Sequence, residues 1–585
     1  MESRRQLDVA GCPRRGCTLT LFVLLLFIVF VQPLVGQTLK QFKELSEQSR
    51  WADIARLAEQ SHDRSPDVDY YYGIALAQLG RWEQARSVLE QGRALQPSDK
   101  RFPIELAGIA FKQKKYALAA EHLRQGLAID PADTYANDFL ASVYFLQGNI
   151  EAALKYWNRV DKPRTASIRE EPRLRTDPIL LDHAFAFAPA STLQVSQWKL
   201  TQQRIENLGV FPAYHFDFVA THNETFDVIF RAQERNGFGS NKVQAIVGVL
   251  RGLPYQEITP EYFNIHREAI NLTSLVRWDP QKRRVTCNLS GPLHRDPRWR
   301  YELGADLRNE NWRIVPSFAG PASVLAALNL RREAVSAAVS DIPGSQWRWS
   351  TGVELSHRDY RSVSAGSTLT HALLSQGWQL KSSTGLNREL LRWPEHRLAL
   401  ETGGSVQVGR LWSSLAYSFA KLQGTVSGHW YPQAMGDDYE VRASIRAGKT
   451  FGTIPFDELF MLGAERDNDL WLRGHIGTRD GKKGSAPLGR NYFLANWEID
   501  KNIYENGLVS FKLGPFLDTG RITDASPGLG SRNWLWDVGA QARIYALGVG
   551  VGVSYGKDLR TGNNALYTTV FRHGKGGSSG YNASP

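Results

Sequence analysis

The chain has 585 residues, 70 Lys and Arg against 59 Asp and Glu, a formal net charge of +11, and three Cys. The length exceeds one ordinary domain and implies several units. The basic residues are scattered and not massed on one segment, which argues against nucleic acid as a partner, and the few cysteines exclude a disulfide framework.

The first residues set the compartment. Arg4, Arg5, Arg14 and Arg15 precede Leu19 to Val31, a run that is apolar apart from Thr20, and Pro33 and Gly36 follow. This is the layout of a secretory signal peptide over 1–36. The alternative, a single membrane anchor, fits less well because a span needs about 20 apolar residues. Cys12 and Cys17 fall inside the signal, and no Cys follows the apolar run to carry a lipid. Cys287 alternates with Val285 and Leu289 and reads as a small apolar strand residue. No later segment has the apolar length of a membrane helix, so the exported chain is a soluble protein or a β-barrel.

Residues 37–163 carry a repeat. Gly73, Ala107 and Ala141 stand 34 residues apart, and so do Ala85, Ala119 and Ala153. Leu89, Leu123 and Trp157 keep the same interval, as do Pro97 and Pro131. Small residues at such positions let paired helices approach, prolines end each unit, and Gly80 and Gly148 fall in turns. The region resembles the tetratricopeptide repeat, an all-α solenoid, with a shorter unit from Arg50 to Pro66 as a cap. Such solenoids present a surface for a peptide or partner protein; the plainer reading is a spacer.

Over 176–236 the pattern changes. A short strand is expected at His183–Phe187, a helix from Leu193 to Leu208 stopped by Gly209, and two strands alternating through Tyr214, Phe216, Phe218 and Phe226, Val228, Phe230, joined by a turn at Asn223 and Glu224. Glu170 and Glu171, ahead of it, read as solvated linker. The stretch from Leu200 to Glu234 resembles the second half of a POTRA domain, a small α/β module in which a helix ending in Leu-Gly and an aromatic leads into two strands closed by an acidic residue, here Glu234. The resemblance implies client binding by strand addition at a sheet edge.

From 237 to 571 the chain reads as strand after strand. Val353 and Leu355 alternate with Glu354 and Ser356, Val441 and Ile445 with Arg442 and Arg446, and Val549, Val551 and Val553 with Gly550, Gly552 and Ser554. A soluble sandwich shows the same alternation. The export signal, strands of roughly 9–12 residues, and Trp299, Trp347, Trp430 and Trp497 near strand ends favour a transmembrane antiparallel β-barrel of about 16 strands. A Gly/Ser-rich tail closes the chain over 572–585.

The last third, from Pro455 to Asn502 and from Gly514 to Gly520, resembles the barrel of the BamA/TamA superfamily, which includes the two-partner secretion transporters. There a long loop with an Arg-Gly-aromatic tip folds into the lumen, and a Phe-x-Asp lies on the second strand after it. Arg473, Gly474 and His475 occupy the tip, and Phe516 and Asp518 the strand. The resemblance implies a lumenal ion pair between Arg473 and Asp518, with Gly474 allowing the tip to turn. His475 departs from the usual aromatic, and the single POTRA-like module and the tail also depart from the pattern.

Gly448-Lys449-Thr450 lacks the first glycine of a phosphate loop, which Ala443 replaces. No Gly-x-Ser-x-Gly serine elbow, no zinc-protease or Cys-x-x-Cys motif and no cofactor or metal site is expected, so the chain reads as a non-enzyme. The resemblance implies an outer-membrane factor for protein translocation or assembly. Its repeats and POTRA-like module would lie in the periplasm, its partners being client polypeptides or a periplasmic protein together with outer-membrane lipids. A polysaccharide exporter and a structural barrel are the rival readings.

Overall fold

The computed structural model describes residues 39–61, 65–221, 225–315, 324–364, 367, 369–413, 416–506, 509–524, 528–531, 533–546 and 549–572. The expected signal peptide, the turn at Asn223 and Glu224, and the tail beyond 572 lie outside them. The chain divides into two compact units, Met1–Gln147 and Gly148–Pro585.

Among the described residues the elements of the first unit are all helices: α1 over 39–47, α2 Trp51–Gln60, α3 Pro66–Gln78, α4 Trp82–Leu95, α5 Arg101–Lys112, α6 Tyr116–Ile129 and α7 Thr134–Leu146. Small residues lie where helices of a pair touch. A Cβ on Gly73 of α3 would stand 2.5 Å from Leu89 of α4, and Ala85, Ala107, Ala119 and Ala141 are fully buried. The turn between α3 and α4 passes through Gly80 at φ +77°, and Lys114 takes the same left-handed conformation between α5 and α6.

The second unit opens with α8 Ile150–Trp157, where Ala153 is buried. A small mixed sheet follows, built from β1 Arg164–Glu170, α9 Pro178–Ala184, α10 Val195–Leu208, β2 Ala213–Ala220 and β3 Thr225–Gln233. Its strand order is β1-β3-β2, with β1 parallel and β2 antiparallel to β3. The sheet thus starts at Arg164, and Glu170 ends a strand instead of lying in a linker. Where a strand was expected at His183–Phe187, α9 ends at Ala184 and Phe185–Phe187 are irregular: Pro178 opens that helix, the Asp177 side chain caps it, and Leu180, Leu181 and Ala184 form its buried stripe. Trp198 of α10 packs edge-on against Phe216, whose ring lies tilted 5.1 Å from that of Phe230.

The rest is a closed barrel. Helix α11 Lys242–Leu250 precedes it, where a strand had been expected. The wall runs β4 Glu257–Ile258, β5 Glu261–Ile265, β6 Ile270–Arg277, β7 Lys282–Leu293, β8 Asp296–Ile314, β9 Ala326–Gly344, β10 Trp347–Arg361, β11 Gly377–Trp393, β12 Leu398–Trp412, β13 Ala416–Trp430 and β14 Tyr439–Gly452. A long loop then carries the two-residue strands β15 Phe460–Met461, β16 Thr478–Arg479, β17 Lys482–Lys483 and β18 Leu488–Gly489. The wall resumes with β19 Asn491–Glu505, β20 Val509–Thr523, β21 Leu535–Ala546, β22 Val549–Asp558 and β23 Asn564–Arg572. Several strands are longer than the expected 9–12 residues, with 19 in both β8 and β9.

The wall is apolar outside and charged inside. On β10, Val353 and Leu355 are 52% and 40% exposed while Arg358 is fully buried. On β20, Leu513 and Leu517 are exposed and Asp518 is fully buried. Cys287 is exposed with Val285 on the outer face of β7. A soluble sandwich buries its apolar face, so this inversion is the signature of a wall that meets lipid.

Candidate functional site

The loop between β14 and β19 turns inward and is held by three groups of ion pairs. The first lies near its start, where Phe456 packs edge-on against Trp312. Asp457 accepts from Arg358 at 2.8 Å and from the Tyr360 hydroxyl at 2.8 Å, with Arg332 at 3.3 Å. Glu458 accepts from Gln379 at 3.0 Å and Lys381 at 3.1 Å, with Lys421 at 3.5 Å. These partners come from β9, β10, β11 and β13.

The second group centres on Asp467. Arg277 of β6 lies at 3.0 Å, Arg284 of β7 at 2.7 Å, and Lys483 at 2.8 Å. Lys483 also reaches Glu310 of β8 at 2.7 Å. Carboxylates held this far from water persist only with cationic partners and hydrogen bonds around them.

The third group is the loop tip. Arg473 Nη2 and Nε donate to the two oxygens of Asp518 at 2.6 and 2.8 Å, and the Arg473 backbone N–H donates to Asp518 Oδ2 at 3.0 Å. Arg473 Nη1 donates to Glu498 of β19 at 2.8 Å and to Gln541 of β21 at 2.7 Å. The guanidinium stacks 3.8 Å above the Phe516 ring. A planar fork is the group suited to such a bidentate, stacked site; an ammonium could not replace it.

Gly474 serves a different purpose from the tight turn expected of it. Its φ is not left-handed; instead a Cβ there would stand 2.5 Å from the Asp537 carboxylate carbon, and its N–H donates to Asp537 Oδ2 at 2.5 Å. Gly556 of β22 is likewise needed for close approach, since a Cβ would lie 2.5 Å from the Arg473 carbonyl oxygen. His475 Nδ1 lies 3.1 Å from Asp537 Oδ2, and its Nε2 lies 3.7 Å from Asp558 Oδ2.

Sequence reasoning brought Arg473, Phe516 and Asp518 together but missed Glu498, Gln541, Asp537, Asp558 and both other anchor groups. The only sequence signal for these was inward-phase charge on strands whose alternate residues are apolar. A Gly-x-Ser-x-Gly string, passed over in the sequence, runs from Gly552 to Gly556. It lies within β22, with Ser554 paired to Gln541 and Tyr567 on flanking strands. It therefore lacks the strand-to-helix elbow that would present a nucleophile. The Gly448-Lys449-Thr450 stretch lies on β14.

At one end of the barrel the small module and α8 dock onto hairpins. Glu234 accepts from the Arg175 and Thr176 backbone at 2.8 and 2.7 Å and from Asn264 of β5 at 3.1 Å. Gln203 of α10 donates to the Ser345 carbonyl at 2.9 Å, and Lys199 pairs with Glu389 at 2.5 Å. Gly209 ends α10 at φ +69°. Glu395, in the β11–β12 hairpin, accepts from Lys155 at 2.6 Å and Tyr156 at 2.9 Å, both on α8. Burial pushes the Glu395 carboxyl up, but these hydrogen bonds win and hold it below the usual range. Arg392 donates to Glu151 of α8 at 2.7 Å.

In the helical unit, the first helices of successive repeats carry aromatic and charged groups. The Arg101 guanidinium lies 4.5 Å over the Tyr70 ring and pairs with Asp67 and Asp99. Tyr135 is 66% exposed beside Phe139. Burial raises the Glu105 carboxyl, against the opposing hydrogen bond from Tyr70.

The Tetratricopeptide repeat family matches residues 73–134. No curated protein matches the sequence. Among solved structures the chain is similar to BamA from Haemophilus ducreyi lacking POTRA domains 1–3, at 13% identity and a TM-score of 0.41, over 70% of this chain and 84% of that one. It is similar to CdiB from Escherichia coli at 13% identity and a TM-score of 0.45, over 70% and 75% of the two chains. For CdiB from Acinetobacter baumannii the identity is 12% and the TM-score 0.42, over 70% and 73%.

Proposed function

We propose that the protein is an outer-membrane factor that collects polypeptides on its periplasmic helical and α/β modules and passes them across, or inserts them into, the membrane through its barrel. The observation that carries this reading is the loop between β14 and β19, tied inside the barrel at Asp457 and Glu458, at Asp467 and at Arg473. An exporter of hydrated polysaccharide needs a standing pore, and a purely structural barrel has no need of a displaceable plug. A loop fixed by discrete ion pairs serves a conduit that is closed at rest and opens when a client displaces the loop.

Two further features support the reading. Strand β2 lies at the edge of the small sheet, where an extended client can add as another strand. At the barrel seam β23 meets the two-residue β4. The opposite side is far more extensively zipped, with β12 and β13 paired along their whole length from Leu398–Trp430 to Trp412–Ala416. A short, weakly closed edge is one on which strands can be templated.

Depletion of the protein in its host, followed by proteomics of the envelope and medium, tests the assignment. Loss of specific outer-membrane or secreted polypeptides, with their periplasmic accumulation, is expected. An unchanged protein complement with loss of a surface polysaccharide would overturn the reading.

A further inference from the structure

The loop tip ends in a group that the Arg473–Asp518 pair does not use. His475, Asp537 and Asp558 are 5%, 0% and 1% exposed, and one ligand atom from each lies within 4.8 Å of the others. His475 Nδ1 sits 3.1 Å from Asp537 Oδ2, so the carboxylate holds the ring proton on that nitrogen. This leaves the Nε2 lone pair facing Asp558 Oδ2 at 3.7 Å, too far for a hydrogen bond. Nε2 and Asp537 Oδ1 have no hydrogen-bond partner among the described residues. Asp558 is itself oriented, its Oδ2 accepting from the Thr561 hydroxyl at 2.5 Å and its Oδ1 from the Arg560 N–H at 2.9 Å.

A buried lone pair aimed at a carboxylate is repulsive unless a proton or a metal cation lies between them. The neighbouring charges do not supply one. Arg442, Arg473, Lys512 and Arg543 face Glu440, Glu498, Asp500, Asp518, Asp537 and Asp558, four cations against six carboxylates. The surplus is two negative charges. An imidazole whose other nitrogen donates to a carboxylate is also the arrangement that orients metal-binding histidines. Two ligands on a tetrahedral zinc ion, with bonds of about 2.0–2.1 Å, stand about 3.3–3.5 Å apart. The observed 3.7 Å lies close to that.

We propose that His475 Nε2 and Asp558 bind one transition-metal dication of the zinc class while Asp537 holds the ring from its other nitrogen, which ties the loop tip to β21 and β22. Imidazole nitrogen selects this class over calcium or magnesium, and two carboxylates match its charge. The departure of His475 from the aromatic expected at the tip thereby acquires a chemical role.

The test uses the full-length protein in detergent, stripped with chelator and titrated with Zn2+ alone, with metal content by mass spectrometry and Co2+ absorption as a second probe. The expected result is one metal per chain, lost in His475→Phe and bound at least about tenfold more weakly in Asp558→Asn. Heat-modifiable migration on gels establishes that each variant keeps its barrel. Chelation should lower the unfolding temperature of the wild type but not of His475→Phe. Absence of stoichiometric binding, or binding unchanged by both substitutions, would overturn the proposal and leave His475 as a protonated clamp between two carboxylates.

Discussion

Arg473 concentrates more of the loop's attachment than any other side chain at the tip. Its guanidinium satisfies Asp518 bidentately and also reaches Glu498, so truncation leaves buried Asp518 without its cation while Glu498 keeps Arg442 and Arg543. Arg473→Ala is expected to cost about 3–5 kcal/mol of barrel stability, the range for breaking a buried pair. Asp518→Ala should cost a similar amount, and the double variant less than the two together. Thermal gel-shift assays on all three check this, and strict additivity would show that the pair does not act as a unit. Gly474→Ala should cost about 1–3 kcal/mol by overpacking against Asp537. The pairing of Arg473 with Asp518 could be read in the sequence because the Arg-Gly and Phe-x-Asp strings are local and recognisable. Asp537 and Asp558 could not, because each is one acid in an alternating strand, and only barrel closure brings them to His475.

At the scale of elements, alternation of apolar and polar residues located the strands after the loop, since each keeps a strict period of two. The region from 237 to 256 failed that logic. Lys242 to Leu250 is apolar on nearly every residue, a pattern that does not distinguish helix from strand, and it folds as α11. The α9 error has the same root, a short apolar run read without its Asp177-Pro178 start signal. The contact of α8 with the β11–β12 hairpin could not be foreseen, because Glu395 and Lys155 are far apart in sequence. The hairpin carboxylate has a depressed pKa, so its contribution to the docked state is present above the unfolded-state value and lost as pH falls through the folded one. Protection of the α8 amides, taken relative to the intrinsic exchange rate at each pH, should therefore be lower below about pH 4 than at pH 6. Glu395→Gln should weaken docking at pH 6 and flatten the response. A wild-type α8 equally protected at both values would contradict this assignment.

For the whole molecule, the exterior and interior of the barrel are inverted relative to a soluble protein; the alternation is shared with a soluble sandwich, and the inversion was legible only with the export signal and the tryptophans near strand ends. Closure was not. With β4 and β5 in one register against β6, the wall among the described residues has an odd number of strands, and alternation makes its closing pair parallel. Hydrogen exchange in a membrane mimetic should be fastest at β4 and β23 and slowest at β12 and β13; uniform protection around the wall would remove the seam from the mechanism. Planar-bilayer conductance of the wild type beside Arg473→Ala and Asp518→Ala decides whether the barrel is a conduit closed at rest by an ion-paired loop. A small, fluctuating conductance that enlarges similarly in both variants is expected. A large, steady conductance unchanged by either substitution would contradict it and favour an open-pore exporter.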